Sequence, residues 1–229
     1  MPGLKCSDVL PLASALLVAV LLLAGMVMAP YSAPAYGEVK QQHQHQQHGH
    51  HHQHQHHGAA GDGNDGSPAR SVTLYVTPDV TLLDANGKAV PLRDSLDGGG
   101  PVMLNFIFTT CTAVCPVMSA TFAEVQQQLG PERDSLRMVS VSIDPEHDTP
   151  EKLRNYAHKF GAGPQWQMLT GNVEDSIAVQ RAFDIYRGDK MNHQPATFLR
   201  AGPDQPWVRL DGFASAADLL REYRQLAEK

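Results

Sequence analysis

Two cysteines, Cys111 and Cys115, lie four residues apart in the segment FTTCTAVCPVM, residues 108–118. The segment follows the apolar run PVMLNFIF and precedes a stretch with helical periodicity. Amide groups and the dipole at a helix start favour negative charge, so we expect raised thiolate character there. Since thiolate is both the nucleophile and the metal-binding form of cysteine, the pair could form a disulfide, act in redox chemistry or bind a metal.

The spacing of the two cysteines leaves these alternatives open. Three residues separate them, one more than in the thioredoxin redox motif, and the longer loop can still close a disulfide. It also lets the sulfurs spread and hold one soft ion, because two thiolates suit Cu(I) and a nearby imidazole would be a third ligand. We expect both sulfurs to be partly exposed on the same side of the domain, where the helix begins. Incidental buried thiols are the plain alternative, while a structural staple is disfavoured because the closed loop is so small.

Three histidines outside the N-terminal region are candidates for a third ligand. His158 falls within an amphipathic helical pattern, which indicates a surface position. His147 lies in the polar segment DPEHDTP, where nothing in the sequence fixes it. His193 precedes the predicted strand ATFLR, in a loop expected to face the carboxyl edge of the sheet, where ligands gather in open α/β sheets. Position therefore favours His193.

The first 35 residues have the pattern of a targeting segment. Val9 to Pro30 contains no charged residue, and a small-x-small sequence follows at Ala33–Ala35. The segment is therefore interpreted either as a cleaved signal peptide or as a retained membrane anchor, since the apolar run is long enough to span a bilayer. Both interpretations deliver residues 36–229 outside the cytoplasm, where disulfides persist.

Residues 36–70 have the composition of a disordered linker. Nine of the twelve histidines lie between His43 and His57, interleaved with glutamine, and a stretch rich in Gly, Asp, Asn and Ser follows. The linker is interpreted as a solvated tether or, alternatively, as a loose store for Cu(II), Zn(II) or Ni(II), because neutral imidazole binds all three.

Residues 71–229 have the alternating pattern of one α/β domain. The formal charge of −6 and the lack of a basic patch with interleaved aromatics exclude nucleic acid as a favoured partner. We predict a compact sandwich with a central mixed sheet flanked by helices. The predicted strands are a strand-turn-strand in DVTLLDANGKAV, with its turn at Asn86-Gly87, and PVMLNFIF, LRMVSVSI, WQMLT, ATFLRA and WVRL. Helices are predicted from Pro116, from Pro150, over 173–183 and from Ser215.

Four segments together resemble the Sco/SenC family: NFIFTTCTAVCPVMSATF, VSVSIDPEHDTPEKLRNYAHKFG, WQMLTG and NHQPATFLRA. They occur in order, and the resemblance runs over roughly residues 73–228. It implies a thioredoxin-like fold, a membrane tether and a domain on the outer side of the membrane. It further implies copper bound by the two cysteines of C-x₃-C-P and a distal histidine, which correspond to Cys111, Cys115 and His193.

The resemblance also implies a function and a location. Family members deliver copper to the binuclear copper centre of cytochrome c oxidase, or keep the cysteines of that centre reduced. We therefore expect a copper chaperone, with a thiol–disulfide oxidoreductase as the alternative and a histidine-tract metal buffer as a third hypothesis. The expected partner is the copper-site subunit of the oxidase or another copper chaperone. The expected location is the periplasmic face of the inner membrane, or the periplasm itself.

The sequence departs from the family pattern at three places. Thr112-Ala113 replaces the frequent Pro-Asp between the cysteines, Asn192 replaces Asp before the histidine, and His147 replaces arginine. Loss of a carboxylate beside His193 is expected to weaken its orientation, since outer-shell partners fix ligand geometry.

Further residues lie near the motifs. We interpret Asp144 mainly as a loop residue and Asp148 or Thr149 as the cap of the helix that begins at Pro150. Met118 and Met191 are soft donors near the candidate site, and Met118 fits the core face of its helix.

Overall fold

The computed structural model describes residues 67–228. The predicted targeting segment 1–35 and the histidine tract lie outside the described residues. Within 67–228, none of the helices has the length and apolar character needed to cross a membrane. The first strand begins at Ala69, so regular structure starts two residues before the predicted domain start at Ser71.

In the described part of the chain, eight strands form one mixed sheet in the order β1-β8-β7-β4-β5-β6-β2-β3. The pairs β4–β5 and β5–β6 are parallel, and all other pairs are antiparallel. The predicted central mixed sheet is therefore confirmed. The strands are β1 Ala69–Thr73, β2 Thr81–Asp84, β3 Ala89–Pro91, β4 Val102–Ile107, β5 Arg137–Ser142, β6 Trp166–Thr170, β7 Ala196–Arg200 and β8 Trp207–Asp211.

In residues 67–228, four α-helices and two 3₁₀ turns connect the strands, and a fifth α-helix follows the last strand. Cap residues define two of the helix starts as predicted: Thr149 accepts a hydrogen bond from the Lys152 amide, and Ser215 forms a reciprocal capping box with Asp218. The helices are α1 Leu92–Leu96, α2 Val114–Leu129, α3 Pro150–Lys159, α4 Val173–Ala182 and α5 Ala216–Ala227, and the 3₁₀ turns are Gly130–Ser135 and Lys190–Asn192. The sequence did not predict α1, because five residues are too few to display a helical period.

The central strands are buried on both faces, as their continuous apolar sequences predict. Every residue of β4 is buried. Next to it, the fully buried ring of Phe183 at the end of α4 lies 5.8 Å from the ring of Phe106 and 5.4 Å from that of Phe198. Phe122 of α2 lies 5.5 Å from the ring of Trp166. These contacts fix the helices against a rigid sheet.

The strand directions bring three loops to one edge of the sheet. β4 and β5 are parallel, so the segments that follow Ile107 and Ser142 leave the sheet at the same edge. β7 runs antiparallel to β4, with Thr197 opposite Asn105, so the segment that enters β7 lies at that edge too. Three loops are consequently neighbours: the cysteine loop, which carries Cys111, the loop with the sequence DPEHDTP, and the His193 loop, which carries that histidine.

Removing the Phe183 ring should test how much the domain depends on this ring cluster. Phe183→Ala leaves a cavity among Phe106, Phe198 and Trp207, and we expect the free energy of unfolding to fall by about 3–5 kcal/mol in urea titrations. Phe213→Ala is the matched control, because that side chain is 52% exposed and its loss should change stability by less than about 0.5 kcal/mol. Equal effects of the two substitutions would contradict this account of the core.

Candidate metal and redox site

The structure brings the two cysteines together at the junction between β4 and α2. The Cys111 amide donates to the Phe108 carbonyl at 3.1 Å, which turns the chain immediately after the strand. The Cys115 amide donates to Cys111 Sγ at 3.4 Å, and the Phe108 amide donates to Cys115 Sγ at 3.5 Å. Both cysteines are free thiols. Backbone amides thus hold both sulfurs at the start of the helix.

The two thiols differ in exposure, which corrects the expectation that both are partly exposed. Cys111 is half-buried, whereas Cys115 is fully buried. The reason is the helix start: α2 begins at Val114 rather than Pro116, so Cys115 falls within the first turn. There it shares the core-facing side of the helix with Met118 and Phe122.

The same asymmetry separates the acidities of the two thiols. Partial burial opposes ionisation of Cys111, yet hydrogen bonds from the amides of Cys115, Ala113 and Val114 outweigh it and lower the pKa of the Cys111 thiol. Burial raises the pKa of Cys115 well above its ordinary value, only partly offset by the Phe108 amide, and the negative charges of Cys111 and Asp148 raise it further. The expected thiolate character therefore belongs to Cys111 alone.

His193 lies directly after the 3₁₀ turn Lys190–Asn192, three residues before β7 begins. Its Nε2 atom lies 3.1 Å from the Phe106 carbonyl oxygen, and because a carbonyl only accepts, Nε2 carries the proton. Burial lowers the pKa of the imidazole, the Phe106 bond offsets this in part, and the charge of Arg187 lowers it further. The ring is therefore neutral at neutral pH, the form in which histidine binds metals.

Cys111 and His193 line the same small cavity, of about 130 Å³. Its other walls include the side chains of Phe108, Val114 and Met191. In residues 67–228, however, no three His, Cys, Asp or Glu side chains lie close enough to form a ready metal cluster. The structure therefore places the two predicted cysteines and the predicted histidine at one edge of the sheet, but the three side chains do not form a complete metal site.

Among the other candidate ligands in residues 67–228, His158 and Met118 lie where the sequence predicted. His147 and His158 are exposed, and neither lines the cavity. Met118 is buried in the core, which confirms its packing role, and Met191 is 74% exposed beside Cys111. Met191 is thus an exposed thioether that lines the same cavity as Cys111.

Asp148 has a larger role than the sequence suggested. It is fully buried, and its carboxylate accepts hydrogen bonds from the Thr109 amide, the Thr109 hydroxyl and the Ser142 hydroxyl. The cap of α3 is Thr149, so the interpretation of Asp148 as a cap is wrong. Its carboxylate instead ties the cysteine loop to the end of β5. Two acidic residues four apart after a buried strand were the available signal.

Asp144 also bonds outside its own loop. Its carboxylate, only 8% exposed, accepts a hydrogen bond from Lys190 Nζ at 2.5 Å. Lys190 belongs to the turn that leads into His193, so this ion pair joins the DPEHDTP loop to the histidine loop. Nothing in the local sequence identified the pair, because 46 residues separate the partners.

A mixed sheet with a cysteine pair at the junction between a central strand and the following helix is the arrangement of thioredoxin-like proteins. The sequence model described as SCO1/SenC matches residues 69–228, which is most of the chain. The chain therefore belongs to the SCO1/SenC family, and the resemblance to this family is confirmed.

Individual relatives agree with this assignment. The SCO1 protein homolog of Bacillus subtilis (strain 168) is 32% identical over 139 residues, which is 57% of this chain and 70% of that protein. The structure of BsSco is 27% identical, with a TM-score of 0.57, and the match covers 67% of this chain and 94% of BsSco. BsSco is described as having a disulfide switch and as a member of the Sco family of cytochrome c oxidase assembly proteins. Copper-bound ScoI of Bradyrhizobium japonicum is 25% identical with a TM-score of 0.54, covering 64% and 96%. The predicted thioredoxin-like sandwich is thus confirmed.

The acidity difference predicts selective alkylation of the reduced protein. Because the pKa of Cys111 is lowered and that of Cys115 is raised, iodoacetamide should modify Cys111 first at pH 7. The Cys111 rate should rise with pH and reach half its maximum at a lower pH than an ordinary thiol does, while Cys115 still reacts slowly. Peptide mass spectrometry over a pH series measures both rates. Equal rates at the two positions would contradict the assigned asymmetry.

Proposed function

We propose that this chain is a copper metallochaperone that binds copper through Cys111, Cys115 and His193. The observation that carries the proposal is the cavity lined by both Cys111 and His193. The Cys111 thiol has a lowered pKa and the His193 imidazole is neutral. The second thiol, Cys115, is next to Cys111, and its amide donates to Cys111 Sγ. Thiolate sulfur is a soft ligand suited to Cu(I), and imidazole accommodates Cu(II) as well.

The chemistry of these side chains fits copper. Phe108, Val114 and Met191 make much of the cavity wall apolar, which limits the access of water to a bound ion. Metal binding requires deprotonated cysteine, so copper would replace the proton that burial holds on Cys115. His193 already lacks its second proton. Among the three ligands, only the cysteines therefore release protons when copper enters.

Copper binding requires one local movement, because residues 67–228 hold no ready three-ligand cluster and the His193 loop must approach the sulfurs. Nε2 of His193 donates to the Phe106 carbonyl, which leaves the lone pair of Nδ1 for the metal. A movement that breaks this hydrogen bond has a net cost of about 1 kcal/mol, which metal coordination readily offsets. A histidine that is easily released suits a carrier, because copper must also leave.

The half-buried position of Cys111 defines a route for copper transfer. An acceptor thiolate can reach the cavity beside Cys111, bind the copper, and displace first the exposed ligand and then the buried one. Cys115 retains the ion until that exchange is under way. The copper-bound ScoI relative supports the metal, since it matches over 64% of this chain.

The acceptor and the location belong to the same proposal. We propose delivery to the copper-site subunit of cytochrome c oxidase or to another copper chaperone, consistent with the description of BsSco as belonging to a family of oxidase assembly proteins. The apolar segment Val9–Pro30 supports export, with the domain at the periplasmic face of the inner membrane or free in the periplasm.

A thiol–disulfide oxidoreductase is the second candidate, and the acidity difference favours it. The Cys111 thiolate would attack a partner disulfide and expel one partner thiolate. Cys115 would then lose its proton and attack Cys111 Sγ, releasing the second thiolate. The partner gains two electrons, and the domain is left with a Cys111–Cys115 disulfide. The same reactive thiol serves this reaction and copper binding.

Replacing His193 separates the two functions. His193→Ala should weaken Cu(II) binding markedly and change the sulfur-to-copper charge-transfer absorption, because one of three ligands is lost. Reduction of a model disulfide through Cys111 should largely survive, because that reaction uses no imidazole. The absorption band reports the cysteine site even in the full chain, since the tract His43–His57 contains no sulfur.

His158→Ala is the matched control, since His158 is exposed on α3 and does not line the cavity. It should bind copper as the parent does. If His193→Ala retained Cu(I) and Cu(II) with the parent's affinity and spectrum, the three-ligand site would be wrong.

A further inference from the structure

Residues 189–193 form a small unit held together by its own hydrogen bonds. The Asp189 side chain accepts from the Met191 amide, its carbonyl accepts from the Asn192 amide, and the Lys190 carbonyl accepts from the His193 amide at 3.1 Å. This unit therefore moves as one body, and whatever anchors it also sets the position of His193.

Lys190 provides the anchor to the rest of the domain. Its Nζ atom donates to Asp144 Oδ2 at 2.5 Å and lies 5.8 Å from the centroid of the Phe108 ring. The Asp144 end is rigid, because the Asp144 amide donates to the Ser142 hydroxyl and the Asp144 carbonyl accepts from the Asp148 amide. A charged hydrogen bond to a carboxylate that is 8% exposed is screened less than an exposed ion pair.

Two cavities meet at Lys190 and His193. A larger cavity of about 280 Å³ is lined by Asp144, Ser176, Gln180 and Tyr186, on the side of α4. Lys190 and His193 line both this cavity and the smaller one at Cys111. Without the Lys190–Asp144 pair, the imidazole could turn into the larger space and away from the sulfurs.

We propose that Lys190 is a positioning residue, which holds the imidazole of His193 on the cysteine side through its ion pair with Asp144. The proposal rests on the proposed function, because it concerns the histidine of that copper site. Lys190 also supplies a fixed partner in a region where Asn192 replaces the carboxylate expected beside the histidine. In this chain the Phe106 carbonyl bonds the imidazole directly, and a cation bonded to a neighbouring loop holds the segment that carries it.

The test compares Lys190→Met, which keeps side-chain length but removes the charge, with the full parent chain. In the metal-free protein, backbone 15N order parameters at Met191, Asn192 and His193 should fall together, because the unit loses its anchor while its internal hydrogen bonds persist. The Cu(II) dissociation constant should rise by about 10- to 100-fold, the usual effect of losing an outer-shell partner, with an altered charge-transfer band. Cu(I) affinity should change little, because the two thiolates dominate it.

Three further variants make the result specific. Lys190→Arg should restore most of the Cu(II) affinity, because it can bond to Asp144. Asp144→Asn should resemble Lys190→Met, and the double variant should be no worse than either single one. Lys152→Met, on the exposed side of α3, should behave as the parent.

The outcomes separate this proposal from the proposed function. If Lys190→Met retains the parent's Cu(II) affinity and spectrum while His193→Ala loses them, the positioning role is overturned and the copper site remains. If His193→Ala also changes nothing, the ligand set itself is wrong. If Lys190→Met weakens Cu(I) and Cu(II) equally and Lys190→Arg does not rescue, Lys190 has only a general structural role.

Discussion

The pairing of β4 with parallel β5 on one side and antiparallel β7 on the other is the constraint on which the site depends. It places the residues after Ile107, the residues after Ser142 and the residues before Ala196 at one edge of a rigid sheet. The Phe106 carbonyl at the end of β4 then accepts from His193, and the Thr109 amide donates to Asp148. Side chains far apart in sequence become neighbours because backbone hydrogen bonds in the sheet fix where their loops begin.

At that edge of the sheet, the start of α2 gives Cys111 and Cys115 different exposures and different acidities. Amides of the first helical turn point at Cys111 Sγ and lower the pKa of its thiol, whereas the same turn directs the Cys115 side chain into the core, where burial raises the pKa of that thiol. The Cys111 sulfur is accessible and nucleophilic, whereas the Cys115 sulfur is buried and stays protonated. Both the transfer of a soft metal ion and a two-step disulfide exchange use such an ordered pair. This explains why the sequence left those functions as alternatives.

Much of the fold could be predicted from the sequence, because its elements have strong local signals. The continuous apolar run of β4, the Asn86-Gly87 turn and the Ser215–Asp218 capping box all lie where expected. The exposure of Cys115 could not be predicted, since it depends on whether α2 begins at Val114 or Pro116. The Lys190–Asp144 pair and the Thr109–Asp148 contacts join separate loops, and no local pattern encodes them. The sequence identified the candidate ligands, whereas the surrounding contacts that orient them required the structure.

X-ray absorption spectroscopy at the copper edge tests the central claim most directly. One equivalent of Cu(I) would be added to the reduced full chain and to a variant lacking residues 43–57. We predict two sulfur neighbours and one imidazole in both proteins, because the proposed ligands all lie in the folded domain. A spectrum dominated by several imidazoles without sulfur, or an imidazole contribution that disappears with the tract, would contradict the assignment of copper to Cys111, Cys115 and His193.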